Sequence, residues 1–166
     1  MIFWHRIVAH FEHLRTLRRW PFFWRVTLEG LLVPLLLTQL IGLFLPWPPL
    51  GSLRNTNIVR YLFFAVIAGP LWELVLWQWL PVMIARRNGA RFWVQVLVSQ
   101  IIFFLPHLGN GLRGAIGGGL FAGFYTVFTY VNWRERSLWT ACYMTYTRHA
   151  LHNLIVVSVW WVYSHS

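Results

Sequence analysis

Long apolar runs dominate this sequence, and they constrain its fold more than any other feature. Five of them are each close to the ~20 residues that a helix needs to cross a bilayer, and short breaks containing Pro, Gly, Asn or Arg separate them. Of the 166 residues, 58% are hydrophobic and only 11% are charged, whereas soluble domains carry about 25% charged residues. A soluble domain of this length could not bury so much apolar surface, so we expect an integral membrane protein.

The fold class that follows is all-α, a polytopic membrane helix bundle with about five transmembrane helices. The predicted spans are about 26–46, 57–84, 92–109, 114–132 and 137–163, and the predicted breaks are 46–55, 85–91, 109–113 and 133–136. Glycines crowd residues 109–123, where Gly119 and Gly123 form a pair of small residues four apart. Such a pair lets two helices pack closely.

The N-terminal residues 1–25 are predicted to form an amphipathic helix on the membrane surface, and residues 26–166 the transmembrane domain. Arg and His recur through the first twenty residues, which is not typical of a signal peptide. The apolar side chains recur at helical spacing and define one face: Phe3, Ile7, Phe11, Leu14 and Leu17.

The charge distribution predicts an orientation. All 14 basic residues are Arg, and the formal net charge is +10. These Arg residues lie between apolar runs, so we expect contact with lipid headgroups and no nucleic-acid partner. Ten Arg fall in the N-terminal segment and the second and fourth breaks, three fall on the opposite side, and Arg148 lies inside a span. This asymmetry predicts a cytoplasmic N-terminus and an external C-terminus.

Polar side chains inside the spans are the candidate functional residues, because a charge at mid-membrane costs at least ~2.5 kcal/mol. The second span carries Glu73 and the third carries His107. The fifth carries a polar group of four: Arg148, His149, His152 and Asn153. Three separate helices therefore bring a carboxyl, imidazoles and an amide to similar depth.

These residue types suffice for hydrolysis of a peptide bond. A Glu and a His can hold and deprotonate a water, and a second His with an Asn can stabilise the oxyanion. His149 and Asn153 are four apart and share a helical face, whereas His152 is expected to face away from Asn153 and to make a structural bond. A purely structural role for these groups, or a proton path in a small transporter or channel, remains an alternative.

At these residues the sequence resembles the CPBP family of intramembrane proteases, also called the abortive-infection or type II CAAX prenyl protease family. The family motifs are EExxxR, FxxxH and HxxxN, in that order on three helices. Glu73 matches the leading Glu of the first motif, Phe103–His107 the second and His149–Asn153 the third. The resemblance extends over about residues 60–163.

The first motif departs from the family pattern. Leu74 stands in place of its second Glu and Gln78 in place of its Arg. A Glu and an Arg four apart on one helix could pair, so the loss of both leaves no unpaired charge. We predict that Arg148 either supplies a replacement cation near Glu73 or extends to the cytoplasmic headgroups.

The resemblance implies an intramembrane endopeptidase of the glutamic type. Glu73 would activate the water, His107 would hold it, and His149 with Asn153 would form the oxyanion site. The auxiliary residues are Arg148, Gln78 and His152. No cofactor is expected, and the alternative is Zn²⁺ bound by Glu73, His107 and His149.

The expected partners are a membrane-anchored protein or peptide substrate and the lipid bilayer. The sequence does not specify an oligomeric state. Arg-only basic usage in so small a chain suggests a bacterial source, and hence the bacterial inner membrane. The altered first motif keeps a non-catalytic alternative open, such as a membrane interaction protein of the bacteriocin-immunity kind.

Overall fold

The computed structural model describes residues 2–44 and 57–165, and within these ranges the protein is all-α without a β-strand. The predicted break at 46–55 lies outside the described residues. The helices are α1 (Ile2–Thr16), α2 (Arg19–Gly42), α3 (Ile58–Arg87), α4 (Phe92–His107), α5 (111–134) and α6 (Leu138–His165).

Three stretches of the described chain are long and apolar enough to cross a membrane: Arg19–Gly42, Ile58–Arg87 and Phe92–Arg134. The third contains α4 and α5, and it reverses direction at the 3₁₀ turn Leu108–Asn110. Gly111 follows that turn with a positive φ of 74°, a conformation that favours glycine. The reversal agrees with the predicted break at 109–113. Helix α6 is not among the three stretches, since polar side chains at 148–153 interrupt its apolar surface.

The ends of α3 follow from local sequence signals. The Asn57 side chain accepts a hydrogen bond of 3.0 Å from the backbone N–H of Val59 and caps the start of the helix. At the other end Gly89 adopts φ 73°, and its N–H donates to the carbonyl of Arg86 at 3.0 Å. This is the glycine termination that commonly closes a helix.

Glycines on α5 set its distance from α4. A Cβ atom at Gly119 would lie 2.7 Å from the Cβ of His107, and one at Gly123 would lie 2.6 Å from the Phe103 ring. The Gln100 side chain donates to the buried carbonyl of Gly119 at 2.9 Å. The predicted small-residue pair therefore packs directly against the helix that carries His107.

Helices α1 and α2 pack against this hairpin. Leu14 and Phe22 are fully buried, and the Phe11 ring lies 5.1 Å from the Phe128 ring of α5. The apolar face predicted for the N-terminal helix is thus directed at the bundle. Because α2 begins at Arg19, the predicted domain boundary at residue 25 falls inside this helix, and the division into two domains stays a prediction.

We expect Gly119→Ala to destabilise the protein. In a helix interior this exchange ordinarily adds about 1 kcal/mol of stability. Here the new methyl would lie 2.7 Å from the His107 Cβ, which the backbone holds in place, so overpacking should cost about 1–3 kcal/mol. Thermal unfolding of the detergent-solubilised protein measures the change.

The matched control is Gly109→Ala, because a Cβ there would meet nothing within 4 Å. That variant should unfold at the wild-type temperature or above it. Equal stability of the two variants would contradict the role assigned to Gly119.

Candidate active site

A cavity of about 80 Å³ lies between α3, α4, α5 and α6. The predicted catalytic residues Glu73, His107, His149 and Asn153 all line it, although they come from three helices, and His152 lines it as well. A single water needs roughly 10–15 Å³ of such space, whereas about 150 Å³ holds a benzene ring. The cavity therefore has room for a few waters or for a small polar group.

Glu73 and His149 face each other across this cavity. The distance from Glu73 Oε2 to His149 Nε2 is 3.6 Å, which is longer than a hydrogen bond between these atoms. Glu73 Oε2 has no hydrogen-bond partner among the described residues. This carboxylate oxygen is thus available to accept a hydrogen bond from a group in the cavity.

His107 is held in one orientation by its own helix. Its Nδ1 lies 2.8 Å from the carbonyl of Phe103, and a carbonyl only accepts, so Nδ1 carries the proton. The imidazole also stacks on the Phe103 ring at 4.8 Å between centroids. In the neutral ring Nε2 then retains its lone pair and can accept a hydrogen bond.

Asn153 joins α6 to α3 through a carbonyl that a proline leaves without a partner. Its Nδ2 donates to the carbonyl of Ala65 at 2.7 Å. This part of α3 is π-helical, and the N–H of Gly69 bonds to the carbonyl of Phe64. In that register the donor to Ala65 would be residue 70, which is Pro and has no N–H. Asn153 therefore supplies the hydrogen bond that Pro70 cannot make, and its second amide hydrogen remains available.

The auxiliary residues are placed differently from one another. His152, which we expected to face away from Asn153, lines the same cavity as Asn153. It follows His149 by three residues, and such pairs share a helix face. Leu74 and Gln78, at the altered positions of the first motif, are both buried in the bundle. They lie outside the cavity wall.

Arg148 stays inside the bundle, contrary to the predicted extension to the headgroups, and it does not pair directly with Glu73. Its side chain is 1% exposed, so it does not extend to the surface of the bundle. Its Nη1 donates to Thr126 Oγ1 at 2.6 Å, and among the described residues no ion pair joins it to Glu73. The adjacent position of His149 does not bring Arg148 into the cavity, because successive residues on a helix point about 100° apart.

Thr126 is a residue of the cavity wall that sequence reasoning missed. It follows Gly119 by seven residues and Gly123 by three, so it continues the face of α5 that packs against α4. A polar residue on that face was the signal that could have identified it.

The described residues contain no group of three His, Cys or acidic side chains that could hold a metal ion. The alternative zinc set of Glu73, His107 and His149 is therefore not assembled as a metal site. Nδ1 of His107 is also committed to the carbonyl of Phe103, so Nε2 is the only atom of this ring that could reach a metal.

Comparison with protein families identifies a family for most of this region. The model of the type II CAAX prenyl endopeptidase Rce1-like family matches residues 55–155, which is more than half of the chain. This range contains every residue of the candidate site and leaves α1 and α2 outside. Searches of the curated proteins and of the solved structures find no match.

We expect Asn153→Ala to lower stability by about 1–3 kcal/mol, because the half-buried carbonyl of Ala65 loses its hydrogen bond. The loss should be smaller in a Pro70→Ala background, since residue 70 then provides an N–H to the preceding turn of α3. A double-mutant cycle on thermal unfolding in detergent measures this coupling. Additive effects would show that Asn153 does not compensate for Pro70.

Proposed function

The chain belongs to the type II CAAX prenyl endopeptidase Rce1-like family, and from this premise we propose that it is an intramembrane endopeptidase of the glutamic type. The observation that carries the proposal is the convergence of Glu73, His107, His149 and Asn153 on one cavity. Family membership supports the peptidase class, and the cavity supports a water-activating site within it. The proposed substrate is a membrane-anchored protein or peptide.

In this mechanism Glu73 acts as the general base. A water held between the Glu73 carboxylate and Nε2 of His107 loses a proton to the carboxylate, and its oxygen bonds to the scissile carbonyl carbon. The C–N bond then breaks, and the proton on Glu73 passes to the nitrogen of the leaving amine. Water is thereby divided between the new carboxyl and the new amine, and Glu73 returns to its starting state.

The oxyanion of the tetrahedral intermediate requires donors on the other side of the cavity. His149 can provide Nε2–H, which lies on the Glu73 side of its ring at 3.6 Å from Oε2. Asn153 can provide the amide hydrogen that is not used on Ala65. Donors that are already oriented stabilise developing charge without reorganisation, and the bond to Ala65 orients this amide.

We expect Glu73→Gln to abolish cleavage while the protein stays folded. Loss of a general base typically costs ~10²–10⁴ in rate, and His107→Ala and His149→Ala should fall in the same range. Asn153→Ala should reduce the rate less, since one oxyanion donor remains. Mass spectrometry of membranes with each variant measures the loss of products.

The matched control is Glu29→Gln, since Glu29 is a glutamate of α2 that bonds to His10 at 2.8 Å and does not line the cavity. This variant should keep the product pattern of the wild type. Wild-type turnover by purified Glu73→Gln would refute the glutamic mechanism.

A second candidate function is a non-catalytic membrane interaction protein of the bacteriocin-immunity kind. The neutral residues at Leu74 and Gln78 favour it, because they replace charged residues of the family motif. In that case Glu73→Gln would leave the biological activity of the protein intact, and no product would depend on Glu73.

Catalysis is proposed to need no metal, because the site offers a carboxylate base and the sequence lacks a zinc motif such as HExxH. We expect cleavage to persist in a strong chelator and metal analysis to find no stoichiometric zinc. Activity that is lost on chelation and restored by Zn²⁺ would instead support the alternative ligand set Glu73, His107 and His149.

The proposed topology has five spans, α2 to α6, with a cytoplasmic N-terminus in a bacterial inner membrane. Arg15 of α1 pairs with Glu135 of the α5–α6 loop at 3.0 Å. This contact puts the N-terminal segment and the fourth break at the same end of the bundle, as the Arg distribution requires.

We expect a reporter fused to the C-terminus to report the external face, because five spans put the two chain ends on opposite sides. The paired reporters are alkaline phosphatase, which is active outside, and a fluorescent protein that is active in the cytoplasm. A cytoplasmic signal at the C-terminus would mean that the number of spans is even.

A further inference from the structure

Arg148 carries a guanidinium that is buried beside the candidate site and bonds to Thr126 in the cavity wall. It is 1% exposed and packs between α2 and α5. On the α2 side the guanidinium lies directly against Gly30, where an added Cβ would force Nη2 to shift. On the α5 side the guanidinium carbon lies 5.9 Å from the centre of the Tyr125 ring.

This cation has no ionic partner among the described residues. None of their ion pairs includes Arg148, and Nε and Nη2 have no hydrogen-bond partner there. A guanidinium cannot lose its proton in a protein, and burying an unpaired charge is strongly unfavourable. A structural role alone would be met at lower cost by an apolar side chain, so the charge itself requires a reason.

Thr126 links this charge to the cavity. Its hydroxyl accepts a hydrogen bond of 2.6 Å from Arg148 Nη1 and donates its own proton to the carbonyl of Ala122 at 3.1 Å. The hydroxyl is thus fixed in orientation by two bonds. Because Thr126 lines the cavity beside Glu73 and His149, one side chain separates the guanidinium from the reacting groups.

We propose that Arg148 is a positioning residue that Thr126 anchors at the cavity wall, and that its charge stabilises from there the negative charge that Glu73 and the oxyanion place in the cavity. It thereby supplies from α6 the cation that the family motif places at the position of Gln78. The inference rests on the proposed function, because it requires a reaction that develops negative charge. In the low-dielectric interior of the bundle, a fixed cation acts with little screening.

The matched control for this proposal is Arg113. It is also buried, at 4% exposed, and it also packs against a glycine of α2, in this case Gly42. Gly42 lies twelve positions after Gly30, which is roughly 18 Å along the helix, and Arg113 does not line the cavity. Arg113→Gln therefore measures the cost of losing a buried arginine away from the site.

The substrate for the test is a peptide bond that wild-type membranes cleave and membranes with Glu73→Gln do not. The measurements are kcat, KM and the thermal unfolding of the purified full chain. We expect Arg148→Gln to lower kcat about 10- to 100-fold, less than the ~10²–10³ of a direct oxyanion donor, with KM little changed. Arg148→Lys keeps the charge but not the planar guanidinium, so its kcat should fall between those of the wild type and Arg148→Gln. Arg113→Gln should keep the wild-type kcat.

Thr126 keeps the proposal testable if Arg148→Gln does not fold. Thr126→Val removes the hydroxyl at constant shape and should lower kcat, whereas Thr126→Ser should restore it. In the double variant with Arg148→Gln, the Thr126→Val change should cost little more, because the two residues act as one unit.

Equal kcat values for Arg148→Gln and Arg113→Gln would overturn the proposal, as would a wild-type kcat for Thr126→Val. Additive losses in the double variant would also overturn it, because Thr126 would then act independently of Arg148 and not as its anchor. If no peptide bond depends on Glu73, the proposed function itself has failed, and the inference fails with it. The two failures are therefore distinguishable.

Discussion

The hydrogen bond from Asn153 to the carbonyl of Ala65 connects the candidate site of this protein to its fold. A bilayer provides no water for an unpaired carbonyl, so the proline at position 70 creates a requirement that another helix must meet. Asn153 meets it from α6, one turn after His149. The same contact therefore sets the rotation of α6 relative to α3 and brings His149 opposite Glu73.

The position of His107, on the third helix of the site, depends on packing rather than on hydrogen bonds between side chains. Gly119 and Gly123 let α5 approach α4 until its backbone lies against His107 and Phe103. Van der Waals packing of this kind is a main source of helix association in membranes, where apolar burial provides little driving force. The glycines thus leave His107 with little freedom of position, and its bond to Phe103 leaves one tautomer.

Residues outside the matched family range complete the bundle. Helix α2 covers α5 and α6, and Gly30 provides the space into which Arg148 extends. An arginine in that position is compatible with the neutral residues Leu74 and Gln78. Gln78 stands where the first family motif has an Arg, and a positive charge near the site can be provided from another helix. The departure from the family pattern and the buried arginine are therefore best considered together.

The sequence by itself determined the helical fold, the approximate limits of the helices and the residues of the candidate site. These features depend on local patterns: apolar length against bilayer thickness, and polar residues at positions where they are costly. The same reason made the break at 109–113 predictable, and with it the role of Gly119 and Gly123. The amphipathic helix α1 was also predictable, but the packing of its Phe11 on Phe128 was not.

Only the tertiary structure decided which partner each buried polar group finds. The bond between Asn153 and Ala65 joins residues 88 apart in the chain, and the bond between Arg148 and Thr126 joins residues 22 apart. Such contacts depend on the rotation and relative depth of neighbouring helices, which helical periodicity within one span does not specify. For that reason the sequence identified Arg148 as a residue that needs an explanation, while the direction of its side chain, and the part that Thr126 plays, came from the packing of α2, α5 and α6.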